Sequence, residues 1–201
     1  MFPPFFNGLV GRILDMDRRY FILGICSSVM VPSVLRAHTP YRQWKVMRER
    51  FLLIHSHRAD LGTDRVAEQA AEVLKNLLPK AQARVARARD QLRIGSLITT
   101  GQAMIAVLHL DEAERLYKAE GEFSELRGGA IRAIAINGDY VVISADELPS
   151  HHAWLLTSAL TAASDEDPKT FDATSLLNQG GVPLHPGATA YLKGEELESQ
   201  Q

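Results

Sequence analysis

The chain has 201 residues, with 46% hydrophobic and 23% charged side chains and a formal net charge of −2. This is the composition of one ordinary folded domain with a tail, and no basic surplus exists to neutralise a nucleic-acid backbone. The single cysteine, Cys26, excludes an internal disulfide framework and a cysteine-based zinc site.

Taken in chain order, residues 16–38, "MDRRYFILGICSSVMVPSVLRAH", place Arg18-Arg19 before an apolar run interrupted by Gly24 and Pro32. The run is too short and too broken for a membrane span of about 20 apolar residues and suits the apolar region of an export signal. Paired arginines before Tyr20-Phe21 also resemble the twin-arginine signal, with cleavage after Ala37 or near Val31-Pro32-Ser33. We therefore expect residues 1–37 to direct export to the periplasm and residues 38–201 to form the working domain. A buried N-terminal helix is the alternative.

Residues 45–54, "KVMRERFLLI", end in a short apolar run that reads as a buried strand, and a polar loop follows. Thr63 or Asp64 then caps a helix with Ala67, Ala70, Ala71, Leu74, Leu77 and Leu78 on one face and Pro79 as its stop. Ala81, Ala83 and Val85 alternate with polar residues as a half-buried strand. Asp90 caps a helix carrying Leu92, Leu97 and Ile98, with Gly101 beyond its end. Residues 103–108, "AMIAVL", suit a strand covered on both faces, and Asp111 with Glu114 resembles a capping box opening the next helix.

This alternation predicts a mostly parallel sheet with helices on its faces. A hairpin follows, residues 130–136 and 139–144 about Asn137-Gly138, and Pro149 opens a helix burying Leu155, Leu156, Ala159, Leu160 and Ala163 and ending near residues 165–168.

In open parallel sheets, ligands gather beyond the C-terminal strand ends beside helix N-termini. This selects His55, Ser56, His57 and Thr63 after the first strand, and His109 and Asp111 after the third, as candidate ligand-binding residues. The competing reading is that Thr63 and Asp111 only cap helices and the histidines are solvated. His55, His57 and Asp60, with His151-His152, also raise a Zn²⁺ or Cu²⁺ site as an alternative.

Ser144 and Asp146 lack a nucleophile elbow and no phosphate loop occurs, so no enzymatic activity and no cofactor are expected. Lys80, Arg84, Arg87, Arg89 and Arg93 read as a solvated strand edge and helix face.

Residues 182–191, "VPLHPGATAY", place a proline-braced histidine near the chain end. We expect Pro183, His185, Pro186 and Gly187 to form a structural turn pinning the C-terminal segment to the sheet. The stretch "PLHPGATAYLKG", with "YVVISADELPSHHAWLLTSAL" and "LITTGQAMIAVLHLDEAERLYKAEGEF" before it, resembles TAXI-type solute receptors of tripartite TRAP transporters.

The resemblance implies a type II periplasmic-binding-protein-like α/β fold and a small solute, carboxylate by class. It also implies a membrane permease or envelope protein as partner. Family members are half as long again and two-lobed; about a hundred residues, the size of a small domain, have no counterpart here. Their Gly-x-Tyr-Tyr loop is replaced by residues 55–63, and Ala103-Met104 stands where an acidic residue is expected. The resemblance thus implies a single lobe, possessing one half of the cleft, which a second copy could cover as a homodimer. A degenerate lobe acting as an envelope interaction protein is the alternative.

Overall fold

The computed structural model describes residues 50–162, 171–177 and 181–195. They belong to a compact unit formed by residues 41–201. The export-signal expectation for residues 1–37, residues 45–49, Ala163 and the helix end near residues 165–168 lie outside the described residues.

The fold is α/β. Strands β1 (Leu53–His57), β2 (Arg84–Ala88), β3 (Ile105–His109), β4 (Ile131–Asn137) and β5 (Tyr140–Ala145) form one sheet in the order β2-β1-β3-β5-β4. β1 pairs in parallel with β2 and β3, while β5 runs against β3 and β4. Four strands therefore point the same way and only β5 is reversed. The helices are α1 (Leu61–Leu77), α2 (Gln91–Thr99), α3 (Leu110–Lys118), α4 (Ser150–Ala162) and α5 (Pro186–Leu192).

Strand alternation divides the core in two. Ile54, Ile105, Val107 and Val142 pack with Val66, Ala67 and Leu74 of α1 and Leu156 and Leu160 of α4. Ala106, Leu108, Val141 and Ile143 face the other way, against Ile94 and Ile98 of α2 and Leu116 of α3. Each fully buried aliphatic side chain stabilises the fold by roughly 1.5–3 kcal/mol relative to exposure.

The order also fixes a switch point. α1 carries the chain outward from β1 to β2, and α2 returns it past β1 to β3. With crossover handedness constant, reversing direction puts the two helices on opposite faces and opens a crevice between the C-terminal ends of β1 and β3.

Several local expectations shift. β1 runs through His57, so His55 and Ser56 are buried strand residues rather than loop residues. Leu77 and Leu92, expected in the core, are exposed, while Val66 and Ile94 take buried places. The hairpin pairs Asn137 with Tyr140, so Gly138 and Asp139 form the turn. Of the two, only Gly138 has positive φ, +59°, the II′ arrangement rather than an Asn-Gly I′ turn. The β4–β5 register shifts between Ala133 and Ala135.

The C-terminal turn docks on the outer edge of β4, which also pairs at Ile136 with Asp172. Ala133 N–H donates to Pro183 O at 2.9 Å and His185 N–H to Ala133 O at 2.9 Å. His185 is 1% exposed. Its Nε2 lies 2.9 Å from Leu148 O and its Nδ1 accepts from Gly187 N–H at 3.1 Å, which sets the neutral Nε2-protonated ring. Burial is the largest influence and pushes its pKa down, against the opposing Leu148 hydrogen bond and Asp146 charge. Pro186 occupies the first turn of α5. At Gly187 a Cβ would strike the Ser150 carbonyl, so the turn approaches α4 at a distance only glycine allows.

Candidate functional site

The residues at the switch-point crevice are held by helix capping. Asp60 is the N-cap of α1, three residues earlier than Thr63; its carboxylate accepts from Gly62 N–H at 2.9 Å and Thr63 N–H at 3.4 Å. Thr63 is fully buried, and its hydroxyl donates to Asp60 O at 3.1 Å. An aspartate there satisfies two N–H groups that the helix itself leaves unpaired.

Across the crevice, His109 at the end of β3 places Nε2 3.2 Å from Asp60 Oδ2. Its ring lies 4.5 Å from that of Tyr140, its cross-strand partner on β5. Tyr140 in turn lays its hydroxyl over Gly62, where a Cβ would overlap it. Partial burial acts to raise the Asp60 pKa, but the Gly62 and Thr63 hydrogen bonds and the His109 charge outweigh it and hold the carboxyl below its ordinary range. The crevice is thus bridged by a carboxylate, an imidazole and a phenol from three separate segments.

A second row lies beside it. Ser56 is fully buried and donates to Asp64 Oδ1 at 2.9 Å. Asp64 also meets Arg87 Nε of the edge strand β2 at 2.9 Å, and Arg87 reaches Glu68 at 2.5 Å. Of the basic stripe, Arg87 is therefore tied to α1, Arg89 pairs with Asp90 at 2.8 Å, and Arg84 lies 4.0 Å over the Phe51 ring.

Ser56, Thr63 and His109 thus gather around Asp60 and Asp64 at one end of the sheet, and each is engaged within the chain. Asp111 stands apart. The helix opens at His109, whose N–H donates to Glu112 Oε2 at 3.3 Å, so Asp111 is a helical surface residue pairing with Arg115 at 3.4 Å rather than the cap.

His55 and His57 point to the α2 face, opposite to Ser56, and His57 acts electrostatically on Asp90 at the α2 N-cap. His151 and His152 open α4 on the other face, their rings 5.9 Å apart. The sheet stands between the two pairs. Among the described residues, no three His, Cys, Asp or Glu side chains converge as metal ligands.

The sequence marks neither Gly62 nor Tyr140 as part of the site, and it offers Asp64 only as a possible helix cap, whereas Asp64 pairs with Ser56 and Arg87. Asp60 was weighed only as a metal ligand; its position before Leu61-Gly62-Thr63 and the apolar period of α1 carried a capping signal. Nothing local marks Tyr140, which reaches the site through strand pairing. Compared with known proteins, the chain matches no protein-family model and no curated protein sequence.

Proposed function

We propose that the chain is an exported one-lobe relative of TAXI-type solute receptors, and that it acts as a non-enzymatic binding module through the C-terminal edge of its sheet. The observation that carries this is the switch point between β1 and β3, where His109 at the end of β3 lies 3.2 Å from Asp60 at the N-terminus of α1. The β4–β5 turn lies at the same edge. Its two residues, Gly138 and Asp139, pass directly from β4 to β5 beside His109 and Tyr140.

The solute favoured by the resemblance is a small carboxylate such as an amino or keto acid. His109 would pair with it, and Gly62 and Thr63 would offer N–H groups. Those groups already hold the Asp60 carboxylate, so a solute carboxylate must displace it or bind beside it.

That specific observation favours a second reading, in which the edge docks on a permease or envelope protein without enclosing a solute. Leu61, 82% exposed beside the crevice, suits such a contact. Among the described residues no helix is long and apolar enough to cross a membrane.

A thermal-shift screen with dicarboxylates, amino acids and divalent metals separates the readings, since a ligand of the native state raises the midpoint. A carboxylate-induced shift that disappears in His109→Ala supports solute capture. Silence from every carboxylate removes that arm and leaves docking. A Zn²⁺ shift lost in His55→Ala would overturn both.

A further inference from the structure

A separate cavity lies on the α2/α3 face, away from the crevice. The chain between α4 and α5 leaves the β4 edge at Asp172, where Ile136 N–H donates to Asp172 O at 2.7 Å, and returns to it at Pro183. Its described parts cover the sheet beside α3, with Leu176 buried and Val182 and Leu184 half-buried on the same core cluster. The outgoing limb is held firmly. The Asp172 carboxylate accepts from Thr174 N–H at 2.7 Å and Ser175 N–H at 3.3 Å, and from both hydroxyls, fixing the turn Ser175–Leu177 that presents Leu176.

Small residues keep the facing walls apart. Ala113 stands on the α3 side and Gly181 on the returning limb, both lining the gap. Gly181 has φ +134°, a backbone that L side chains rarely adopt, and a Cβ there would sit 3.7 Å from the Glu114 carboxyl carbon. The space left is about 450 Å³, within the usual range for small-molecule pockets.

Its apolar lining includes Leu110, Val141, Leu176 and Val182, and among the described residues its ionisable lining is Asp111 and Glu114. The cations paired with these carboxylates, Arg115 and Lys118, lie four residues further along α3 and do not line the space.

From this we infer that the cavity binds a small amphipathic amine, its apolar body on the Leu110–Val141–Leu176–Val182 floor and its ammonium group on Glu114. Each feature selects for that class. Apolar floor rewards displacement of water by a hydrocarbon body. An ammonium can take the place of the Lys118 Nζ, which meets Glu114 at 2.6 Å along an exposed helix face. A carboxylate in the same place finds no cation among the described lining residues and cannot replace Lys118 on Glu114. No group transfer is involved; this is reversible recognition at a site distinct from the crevice.

The test is calorimetric and NMR titration of the full chain with n-hexylammonium, against hexanoate as the oppositely charged counterpart. Saturable binding of n-hexylammonium is expected, at least tenfold tighter than hexanoate. Glu114→Gln should weaken it about tenfold, the value of one hydrogen bond to a charged group. Val182→Trp, which adds bulk to the lining and leaves both carboxylates in the chain, should also weaken it; circular dichroism confirms that each variant is folded. Equal affinity for hexanoate, absence of saturable binding by the wild type, or unchanged affinity in folded Glu114→Gln overturns the proposal.

Discussion

Replacing His185 with alanine tests how the C-terminal turn is held. The ring is 1% exposed and satisfies two buried backbone groups, the Leu148 carbonyl at 2.9 Å and the Gly187 N–H at 3.1 Å. Truncation leaves both without a partner, at about 1–3 kcal/mol each, and removes the α5 N-cap while opening a ring-sized void. Allowing for overlap between these contributions, the expected loss is about 3–5 kcal/mol, a large share of the roughly 5–15 kcal/mol that stabilises a typical domain. At about 2–4 °C per kcal/mol for a chain of this size, the midpoint should fall by about 10 °C.

Urea denaturation followed by far-UV circular dichroism measures the difference directly. His185→Asn supplies the control. Asparagine can still cap Gly187 N–H but cannot reach Leu148, so about half the loss should return. A loss below about 1 kcal/mol for His185→Ala, or no difference between alanine and asparagine, would refute the reasoning.

Other outcomes follow from the same contacts. Because burial lowers the His185 pKa in the folded state, the unfolded chain takes the proton first. The contribution to stability is then complete above the ordinary histidine value of 6.5 and is lost as pH falls below it toward the folded value, visible as a falling urea midpoint that His185→Asn removes. Asp60 and Asp172 are held below their ordinary 3.8, so their contributions persist above that value and fade only as pH falls beneath it.

Gly62→Ala should destabilise by about 1–3 kcal/mol because the new Cβ overlaps the Tyr140 hydroxyl; combining it with Tyr140→Ala should recover most of that loss in a double-mutant cycle. For export, a reporter fused after Thr39 should lose its periplasmic signal when Arg18 and Arg19 become lysine, and unchanged secretion would indicate the general route.

Much of the architecture was legible because local chemistry and global topology agree. Pro79 ends α1, Asp90 caps α2 with its carboxylate on Arg93 N–H at 2.7 Å, and apolar runs alternating with amphipathic ones yield the helix-flanked sheet. Boundaries were less legible. The reading of His55 and Ser56 as loop residues treated polar side chains as solvent-facing, whereas Ser56 is buried with an Asp64 partner eight residues away. The expected stripes hold at Ala67, Ala70, Ala71 and Leu74 of α1 and Ile98 of α2, but Leu77 and Leu92 lie outside the buried arc that Val66 and Ile94 occupy.

The site was legible in position and not in content. The rule about strand ends selected Ser56, Thr63 and His109, which do gather at one end of the sheet. What joins them is Asp60, set by capping, and Tyr140, brought to His109 by a strand pairing that no local sequence pattern specifies.

The central claim, that the C-terminal edge of this single sheet is the binding face, is tested most directly by amide chemical-shift mapping of ¹⁵N-labelled protein. The protein would be titrated with a carboxylate panel and with solubilised candidate permease. The account predicts shifts concentrated at Arg58 to Thr63, His109 and Asn137 to Tyr140 with at least one of them. Binding that leaves those amides unmoved while perturbing the opposite end of the strands, around Leu53, Arg84 and Ile105, would contradict it.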